Sequence, residues 1–263
     1  MLTQELKHHV PCALRLTNVA CGRRLHPVSV SAYAGRLIHV VGPNGSGKST
    51  LLARVSGLLE GEGRVELEGM TLADLSARDL ALRRAYLSQQ QSPSALMPVF
   101  QYLALHQPGQ ASVIAVDEVV AQLATRLMLT DKLTRPLTEL SGGEWQRVRL
   151  AAVFLQVWPS LNPYARLLVL DEPATGLDVA QRVALDAMLK VLCQAGLIVL
   201  ASAHDLNHSL QQADDIWLIS NGSLIDSGSA TEVMQPDRLA PVFGIDFQRH
   251  RVGERDWLVP VSE

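Results

Sequence analysis

The chain has 263 residues, of which 48% are hydrophobic and 19% charged, so it can bury a sizeable core and is too apolar for a disordered chain. Its 23 basic and 26 acidic side chains leave a net charge of −3, which argues against a dedicated nucleic-acid-binding protein, because such proteins carry a basic face. Three cysteines without C-x-x-C spacing argue against a disulfide scaffold, and the apolar stretches are far shorter than the roughly 20 residues of a membrane span. We therefore expect a soluble, intracellular protein with one large domain.

Strand and helix patterns alternate along most of the chain. The patterns predict antiparallel strands around 14–30, then a strand at 37–41, a helix at 48–58, a strand at 65–67, a helix at 74–84, a strand at 85–88, helical segments over 99–140 and 142–158, a strand at 167–170, a helix at 179–195, a strand at 197–202 and a hairpin turning at Asn221-Gly222. This alternation predicts a mostly parallel sheet with functional groups at the carboxyl ends of its strands. The strand-free segment 99–140 indicates a helical lobe inserted into the α/β core.

A glycine-rich segment follows the predicted strand 37–41 and matches G-x-x-x-x-G-K-[ST]. Its glycines let successive backbone N–H groups converge on one concavity, and the helix that follows adds the positive end of its dipole. Lys48 is then predicted to bind the β- and γ-phosphates of a nucleotide, and the Ser49 hydroxyl to bind Mg²⁺. The predicted phosphate-binding residues are Gly42, Pro43, Asn44, Gly45, Ser46, Gly47, Lys48, Ser49 and Thr50.

Two acids, Asp171 and Glu172, end the apolar run 167–170, and Pro173 stops the strand because it has no N–H to donate. Adjacent residues of a strand point to opposite faces, so one acid can serve a metal ion and the other a water molecule. We assign Asp171 to Mg²⁺, through a coordinated water, and Glu172 the role of the general base that activates the attacking water.

Two adjacent glycines follow Ser141 at a predicted helix start, where Ser141 is a suitable cap. The residues Ser141, Gly142, Gly143 and Glu144 complete the segment LSGGE, and free backbone N–H groups at such a helix start can bind an anion. With LSGGE between a phosphate loop and an Asp-Glu strand, the chain resembles the ATP-binding cassette (ABC) family over roughly residues 13–240.

The resemblance implies further roles and partners. Gln89 resembles the Q-loop glutamine, which touches Mg²⁺ and senses the transport subunit; Asp178 lies in a segment that resembles the D-loop; and His204 resembles the switch histidine, which holds the γ-phosphate and orients water. The family pattern also implies a homodimer in which Ser141 and Gly143 complete the partner's ATP site. In the family an aromatic often stacks on the adenine, whereas residues 19–24 have none, so base discrimination is expected to be weak, with an arginine plane at Arg23 or Arg24 as the alternative.

The expected fold class is therefore α/β: a P-loop NTPase of the ABC type with a mixed sheet core, antiparallel N-terminal strands and an inserted helical lobe. We expect one domain over 1–263, with a RecA-like core at 13–90 and 160–240, a helical subdomain at 91–159 and a tail at 241–263. Residues 1–12 are expected to be a polar lead-in, and Gln90 and Gln91 to be exposed. The two histidines of 204–208 have the spacing of a zinc helix but lack its glutamate, so zinc is not expected.

A single cassette without fused membrane segments resembles the ATPase subunit of a bacterial importer. The segments 84–93, 98–107, 141–156 and 203–210 resemble those of vitamin B12 (cobalamin) importers. This implies ATP with Mg²⁺, an integral-membrane permease, an indirect periplasmic substrate-binding protein, no nucleic acid, and a peripheral location on the cytoplasmic face of the inner membrane. An iron-siderophore or haem importer subunit is the alternative, and a non-transport ABC ATPase is the alternative from a different class.

Overall fold

The computed structural model describes residues 12–89, 92 and 96–261. The predicted polar lead-in lies outside the described residues except for Cys12, and so do Gln90 and Gln91.

Three sheets are present in the described part of the chain. An antiparallel sheet has the order β2-β1-β4-β5, a mixed sheet has the order β10-β9-β3-β8-β7-β6, and β11 pairs with β12. The strands are β1 (Cys12–Cys21), β2 (Leu25–Tyr33), β3 (Leu37–Val41), β4 (Arg64–Leu67), β5 (Met70–Thr71), β6 (Arg84–Leu87), β7 (Leu167–Leu170), β8 (Ile198–Ala203), β9 (Asp215–Ser220), β10 (Ser223–Ser229), β11 (Asp246–Val252) and β12 (Arg255–Val261).

Helices cover the mixed sheet and form the segment between β6 and β7. They are α1 (Lys48–Val55), α2 (Ala77–Arg83), α3 (Val99–Ala104), α4 (Val113–Arg126), α5 (Gly142–Val157), α6 (Val179–Gln194), α7 (Leu206–Gln212), α8 (Ala230–Val233) and α9 (Pro236–Phe243). Short 3-10 turns lie at Leu72–Asp74, Thr130–Lys132 and Leu137–Glu139.

The predicted α/β class and the antiparallel N-terminal strands are confirmed. Strands β3 and β7 are buried at every residue, as their unbroken apolar runs indicate for strands covered on both faces. The parallel strands β3, β6, β7 and β8 run side by side, so their carboxyl ends reach one edge of the sheet. The topology thus brings the residues that follow these strands, Gly42, Gln89, Asp171 and His204, to that edge.

Several predicted boundaries are wrong by one to three residues. The helix predicted at 48–58 ends at Val55, where Gly57 follows with a φ of 71° that stops helical geometry. The helix predicted at 74–84 starts at Ala77, because the Ser76 side chain caps it by accepting the Asp79 N–H. The strand predicted at 85–88 runs from Arg84 to Leu87.

The tail predicted at 241–263 contains the end of α9 and the β11–β12 hairpin. Leu258 of β12 is 2% exposed and packs in an apolar cluster with residues of β9, α8 and α9. Burying this side chain contributes about 2 kcal/mol, which anchors the hairpin to the rest of the fold.

His39 interrupts the apolar strand β3 and is 3% exposed, with its Nδ1 3.0 Å from the buried Ser209 Oγ. Burial and, second, the nearby His208 lower the pKa of His39 from 6.5 to about 3. Between these values the unfolded chain binds a proton that the folded protein cannot, so this residue destabilises the fold as the pH falls below 6.5. We expect it to cost about 2 kcal/mol of unfolding free energy between pH 8 and pH 5.

The measurement is urea unfolding at both pH values for the wild type and His39→Gln, which removes the titration and keeps a hydrogen-bonding side chain. The variant should lose less stability than the wild type on acidification, by that margin. His250→Gln, at an exposed histidine of β11, is the control and should behave like the wild type. Equal acid sensitivity of wild type and His39→Gln would contradict the assignment.

Candidate active site

The phosphate loop joins β3 to α1 and is closed by backbone that only glycine adopts readily. Gly45 and Gly47 have φ values of 76° and 105°, and Gly47 is the N-cap of α1. At Gly42 a Cβ atom would lie 2.0 Å from the carbonyl oxygen of Ile219 on β9, so no side chain fits there. The loop therefore wraps tightly around the start of α1, and the first turn of this helix faces the cleft described below.

Lys48 is 7% exposed, and its Nζ donates to the carbonyl oxygens of Gly42 and Pro43 at 2.8 and 2.9 Å. Burial lowers the pKa of Lys48, and the carboxylates of Glu172 and Asp171 oppose that shift. The ammonium group is thus held at the loop beside the two acids predicted from sequence.

A cleft of about 1000 Å³ opens over the loop. Its lining residues are Arg23, Arg24, Asn44, Gly45, Ser46, Gly47, Lys48, Ser49, Thr50, Gln89, Glu172, His204, Asn221 and Gly222. Within the described residues, the buried Ser46 Oγ has no hydrogen-bond partner. A polar cleft of this size, with the N–H groups of a helix start and a lysine at its base, suits a nucleoside triphosphate.

Asp171 and Glu172 lie beyond the end of β7, not on it as the alternation argument assumes. Glu172 has a φ of 51°, so the chain turns there and strand alternation does not set the direction of its side chain. Ser202 instead organises the pair: its Oγ accepts the Glu172 N–H at 2.7 Å and donates to Asp171 Oδ1 at 2.7 Å. The prediction missed Ser202, although its position near the end of a strand next to β7 could have suggested it.

Glu172 and His204 both line the cleft and contact each other there. His204 Nε2 lies 2.9 Å from Glu172 Oε1, and Thr175 Oγ1 donates to Glu172 Oε2 at 3.3 Å. His204 follows β8 directly and Glu172 follows β7, and these strands are neighbours in the sheet. The topology thus joins two residues that are 32 positions apart in sequence.

Gln89 is exposed and lines the same cleft. Arg149 of α5, which is 6% exposed, fixes the backbone before it: Nη2 donates to the Ser88 carbonyl, to Ser88 Oγ at 3.2 Å and to the Gln89 carbonyl at 3.4 Å. Arg149 therefore has a structural role at this loop. Its link to the glutamine loop could not be read from the sequence because the two are 60 residues apart.

The predicted capping role of Ser141 is confirmed. Ser141 Oγ accepts the Glu144 N–H at 3.3 Å, and Glu144 Oε2 accepts the Ser141 N–H at 2.8 Å, which forms a capping box at the start of α5. Gly143 packs against the backbone of Gly176, and a Cβ atom on Gly143 would lie 2.7 Å from the Gly176 carbonyl oxygen. This signature segment does not line the cleft of its own chain.

Asp178 also has a local structural contact. Its Oδ1 accepts the Gln181 N–H at 2.9 Å, and its own N–H donates to Gln181 Oε1 at 3.2 Å, so it caps α6. Asp178 is likewise not part of the cleft lining.

The residues predicted for Mg²⁺ fit that ion by their chemistry. Ser49 and Gln89 line the cleft, and the carboxylate of Asp171, 2% exposed, is held next to Glu172 through Ser202. Hydroxyl, amide and carboxylate oxygens are the hard donors that Mg²⁺ prefers. Histidine, cysteine and acid side chains form no cluster that could hold a metal ion in the described part of the chain.

Arg23, Arg24, Asn221 and Gly222 also line the cleft. The Asn221-Gly222 turn has φ values of 47° and 75°, and Gly222 donates its N–H to the Ser46 carbonyl at 2.9 Å. The sequence predicted this turn but not its contact with the phosphate loop, since the turn belongs to a distant hairpin. Arg23 and Arg24 belong to the segment 19–24, which lacks the aromatic residue that often stacks on adenine in the family resembled.

A family model described as "ABC transporter" matches residues 25–175, which include the phosphate loop, the signature segment and the Asp171-Glu172 pair. The chain belongs to the ABC transporter family. It is therefore an ABC ATPase, which confirms the resemblance found in its motifs. Within the described ranges 12–89 and 96–261, no helix of this ATPase is long and apolar enough to cross a membrane.

Three similar curated proteins share one name. The ABC ATPase is 60% identical over 239 residues to the "Vitamin B12 import ATP-binding protein BtuD" of Pectobacterium atrosepticum, which covers 91% of this chain and 96% of that protein. It is 55% identical to the protein of the same name from Yersinia enterocolitica, covering 94% and 97%, and 50% identical to that of Escherichia coli, covering 90% and 93%.

Solved structures share the fold. A structure titled as the ATP-binding subunit of an ABC transporter has a TM-score of 0.76 at 23% identity and covers 89% of this chain and 95% of that chain. A nucleotide-free ATP-binding cassette has a TM-score of 0.69 at 24% identity and covers 89% and 96%. These likenesses confirm the ABC ATPase fold.

Proposed function

We propose that this ABC ATPase is the ATP-hydrolysing subunit of a bacterial vitamin B12 importer. The geometric observation that carries the hydrolysis is the 2.9 Å contact between Glu172 Oε1 and His204 Nε2 at the cleft over the phosphate loop. The cargo rests on relatives named for vitamin B12 import that are 50–60% identical over nine-tenths of the chain.

In the proposed reaction, the backbone N–H groups of residues 42–50 and Lys48 hold the triphosphate. Glu172 takes a proton from the attacking water, whose oxygen bonds to the γ-phosphorus while the bond from that phosphorus to the bridging oxygen of ADP breaks, so that ADP and phosphate are the products. His204, in contact with that carboxylate, orients the water and holds the γ-phosphate. Ser49, Gln89 and Asp171 would hold Mg²⁺, which, when bound, neutralises charge on the β- and γ-phosphates. Ser202 keeps both acids in place through its two hydrogen bonds.

The proposal includes a homodimer of cassettes. The residues Ser141, Gly142, Gly143 and Glu144 form a capped helix start that lies outside the cleft of its own chain. A second copy could present this helix start, whose N–H groups favour an anion, to the nucleotide of the first. Asp178 caps α6 two residues after Gly176, whose backbone packs against Gly143 of the signature segment.

A permease is proposed to dock next to Gln89. A groove of about 350 Å³ there is lined by side chains of β6, α3, α5 and the segment before α3, among them Tyr86, Met97, Tyr102, Trp145 and Arg149. Arg149 spans from this groove to the Ser88-Gln89 backbone, so a permease segment in the groove could displace Gln89 at the nucleotide. The subunit would then lie on the cytoplasmic face of the inner membrane, and a periplasmic substrate-binding protein would act through the permease.

The division of the chain remains part of the proposal: one domain over 1–263, a RecA-like core at 13–90 and 160–240, a helical subdomain at 91–159 and a tail at 241–263. The helices α3 and α4 pack on α5, and one apolar cluster joins them to the sheet through Leu168, Leu170 and Val199. That shared cluster would transmit motion of the helices to the catalytic edge.

Uptake of labelled cobalamin, ferric siderophore and haem in cells that lack this chain tests the cargo. We expect loss of cobalamin uptake alone, restored by the wild type and not by Glu172→Gln. Loss of an iron compound instead would favour the alternative importer. Unchanged uptake of all three compounds would contradict the transport function and favour a non-transport ATPase.

A further inference from the structure

Helix α7 begins two residues after His204, and three consecutive residues of its first turns contact three different elements. The Asn207 side chain pairs with the backbone of Leu258 on β12, with an N–H donated to the Leu258 carbonyl at 3.0 Å and the Leu258 N–H accepted at 2.7 Å. Ser209 Oγ lies 3.0 Å from His39 Nδ1 on β3. Between them, His208 contacts α6. The helix behind the switch histidine is thus held from three sides.

His208 contacts α6 through one ring nitrogen, which lies within hydrogen-bond distance of both carboxylate oxygens of Asp186. His208 Nε2 lies 3.1 Å from Asp186 Oδ1 and 3.0 Å from Asp186 Oδ2. Both side chains are half-buried, and together with Glu172 and His204 they line a cavity of about 160 Å³. The pair therefore lies directly behind the glutamate and histidine assigned to hydrolysis.

The charges around His208 favour its protonated form. The hydrogen bond to Asp186 raises the pKa of His208 above its usual value, Asp205 acts in the same direction, and burial and Arg182 of α6 oppose them. His39 of β3 stacks on the His208 ring at 5.7 Å and, with its pKa of about 3, stays neutral near pH 7. A charge-assisted hydrogen bond is stronger than a neutral one, so this contact can fix the distance between α6 and α7.

We propose that Asp186 and His208 are positioning residues for ATP hydrolysis, whose contact fixes α7 against α6 and so holds the His204 imidazole at the Glu172 carboxylate. This inference rests on the proposed role of Glu172 and His204. His204 stands one residue before Asp205, the N-cap of α7, so a displaced helix carries the imidazole with it. A misplacement of about 1 Å can cost up to about 100-fold in rate.

The experiment measures kcat, KM for ATP and affinity for a fluorescent ATP analogue in the full chain carrying Asp186→Ala, His208→Leu or both. We expect each variant to lose about tenfold in kcat, with KM and analogue affinity within twofold of the wild type, because the phosphate loop is on another element. The double variant should lose no more than either single one, because the two residues act as a unit. Asp186→Asn, which keeps an acceptor oxygen, should recover part of the loss.

Lys190→Ala, one turn further along α6 and exposed, is the matched control and should keep wild-type kcat. His208→Leu has a similar volume and tests the contact from α7 if Asp186→Ala does not fold. A kcat within twofold of the wild type in the single variants, losses that multiply in the double variant, or a loss confined to ATP affinity would each overturn the proposal. If wild type and Glu172→Gln hydrolyse ATP equally, the proposed role of Glu172 fails, which is a separate outcome.

Discussion

Replacing Glu172 with Gln should leave a protein that binds ATP as tightly as the wild type but turns it over at least about 100-fold more slowly. An amide cannot accept the proton of the attacking water. It keeps the shape of the side chain, however, and can still contact His204 Nε2, which lies 2.9 Å from Glu172 Oε1 in the wild type. The phosphate loop, which binds the nucleotide, is unaffected. Steady-state release of phosphate and titration with a fluorescent ATP analogue measure the two effects separately.

The oligomeric state of the Glu172→Gln variant provides a second measurement. Because ATP binding would persist without hydrolysis, the variant should accumulate as a dimer in ATP, which size-exclusion chromatography with light scattering detects. Glu118→Gln, at an exposed residue of α4, is the matched control and should hydrolyse ATP like the wild type. Near-normal turnover by Glu172→Gln would remove this residue from the position of the base.

Replacing Lys48 with Ala should weaken ATP binding itself, by about 10- to 100-fold in Kd. In the structure its Nζ donates to the loop carbonyls of Gly42 and Pro43, so the charge is already at the site where the β- and γ-phosphates are proposed to lie. Its loss removes the ammonium group that neutralises them. Titration of the fluorescent ATP analogue measures the change.

Unfolding by urea must accompany that titration, because Lys48 also holds the loop. A variant that unfolds like the wild type but binds ATP weakly supports the assignment. Lys190→Ala removes an exposed lysine of α6 far along the chain and should bind ATP normally. Unchanged nucleotide affinity in Lys48→Ala would refute the proposed phosphate contact.

Much of the site was predictable because its parts are local. The loop 42–50 needs glycine at fixed offsets between a strand and a helix, and an acid pair after an apolar strand must lie at the edge of a sheet. Ser141 was predicted to cap α5 from residue type alone, and its capping box with Glu144 confirms this. The turn at Asn221-Gly222 was likewise predicted from the dipeptide.

Contacts between distant segments were not predictable. Ser202 organises Asp171 and Glu172 from a neighbouring strand, and Arg149 fixes the backbone at Gln89 from 60 residues away. The alternation rule for Glu172 was wrong because its φ of 51° turns the chain after β7 ends. Each of these contacts depends on which strands are adjacent and on side-chain directions, neither of which a local pattern encodes.

The sequence by itself determined the chemistry of this ABC ATPase: the phosphate loop, the acid pair, the signature segment and their order along the chain are set by residue types at short spacings. The tertiary structure alone decided how those parts meet. The strand order β3-β8-β7 placed the phosphate loop, His204 and Glu172 at one edge of the sheet, and the contact between Asp186 and His208 joined α6 to α7 behind them. The physical reason is that local backbone preferences act over a few residues, whereas the sheet register and the packing of its helices depend on burial summed over the whole chain.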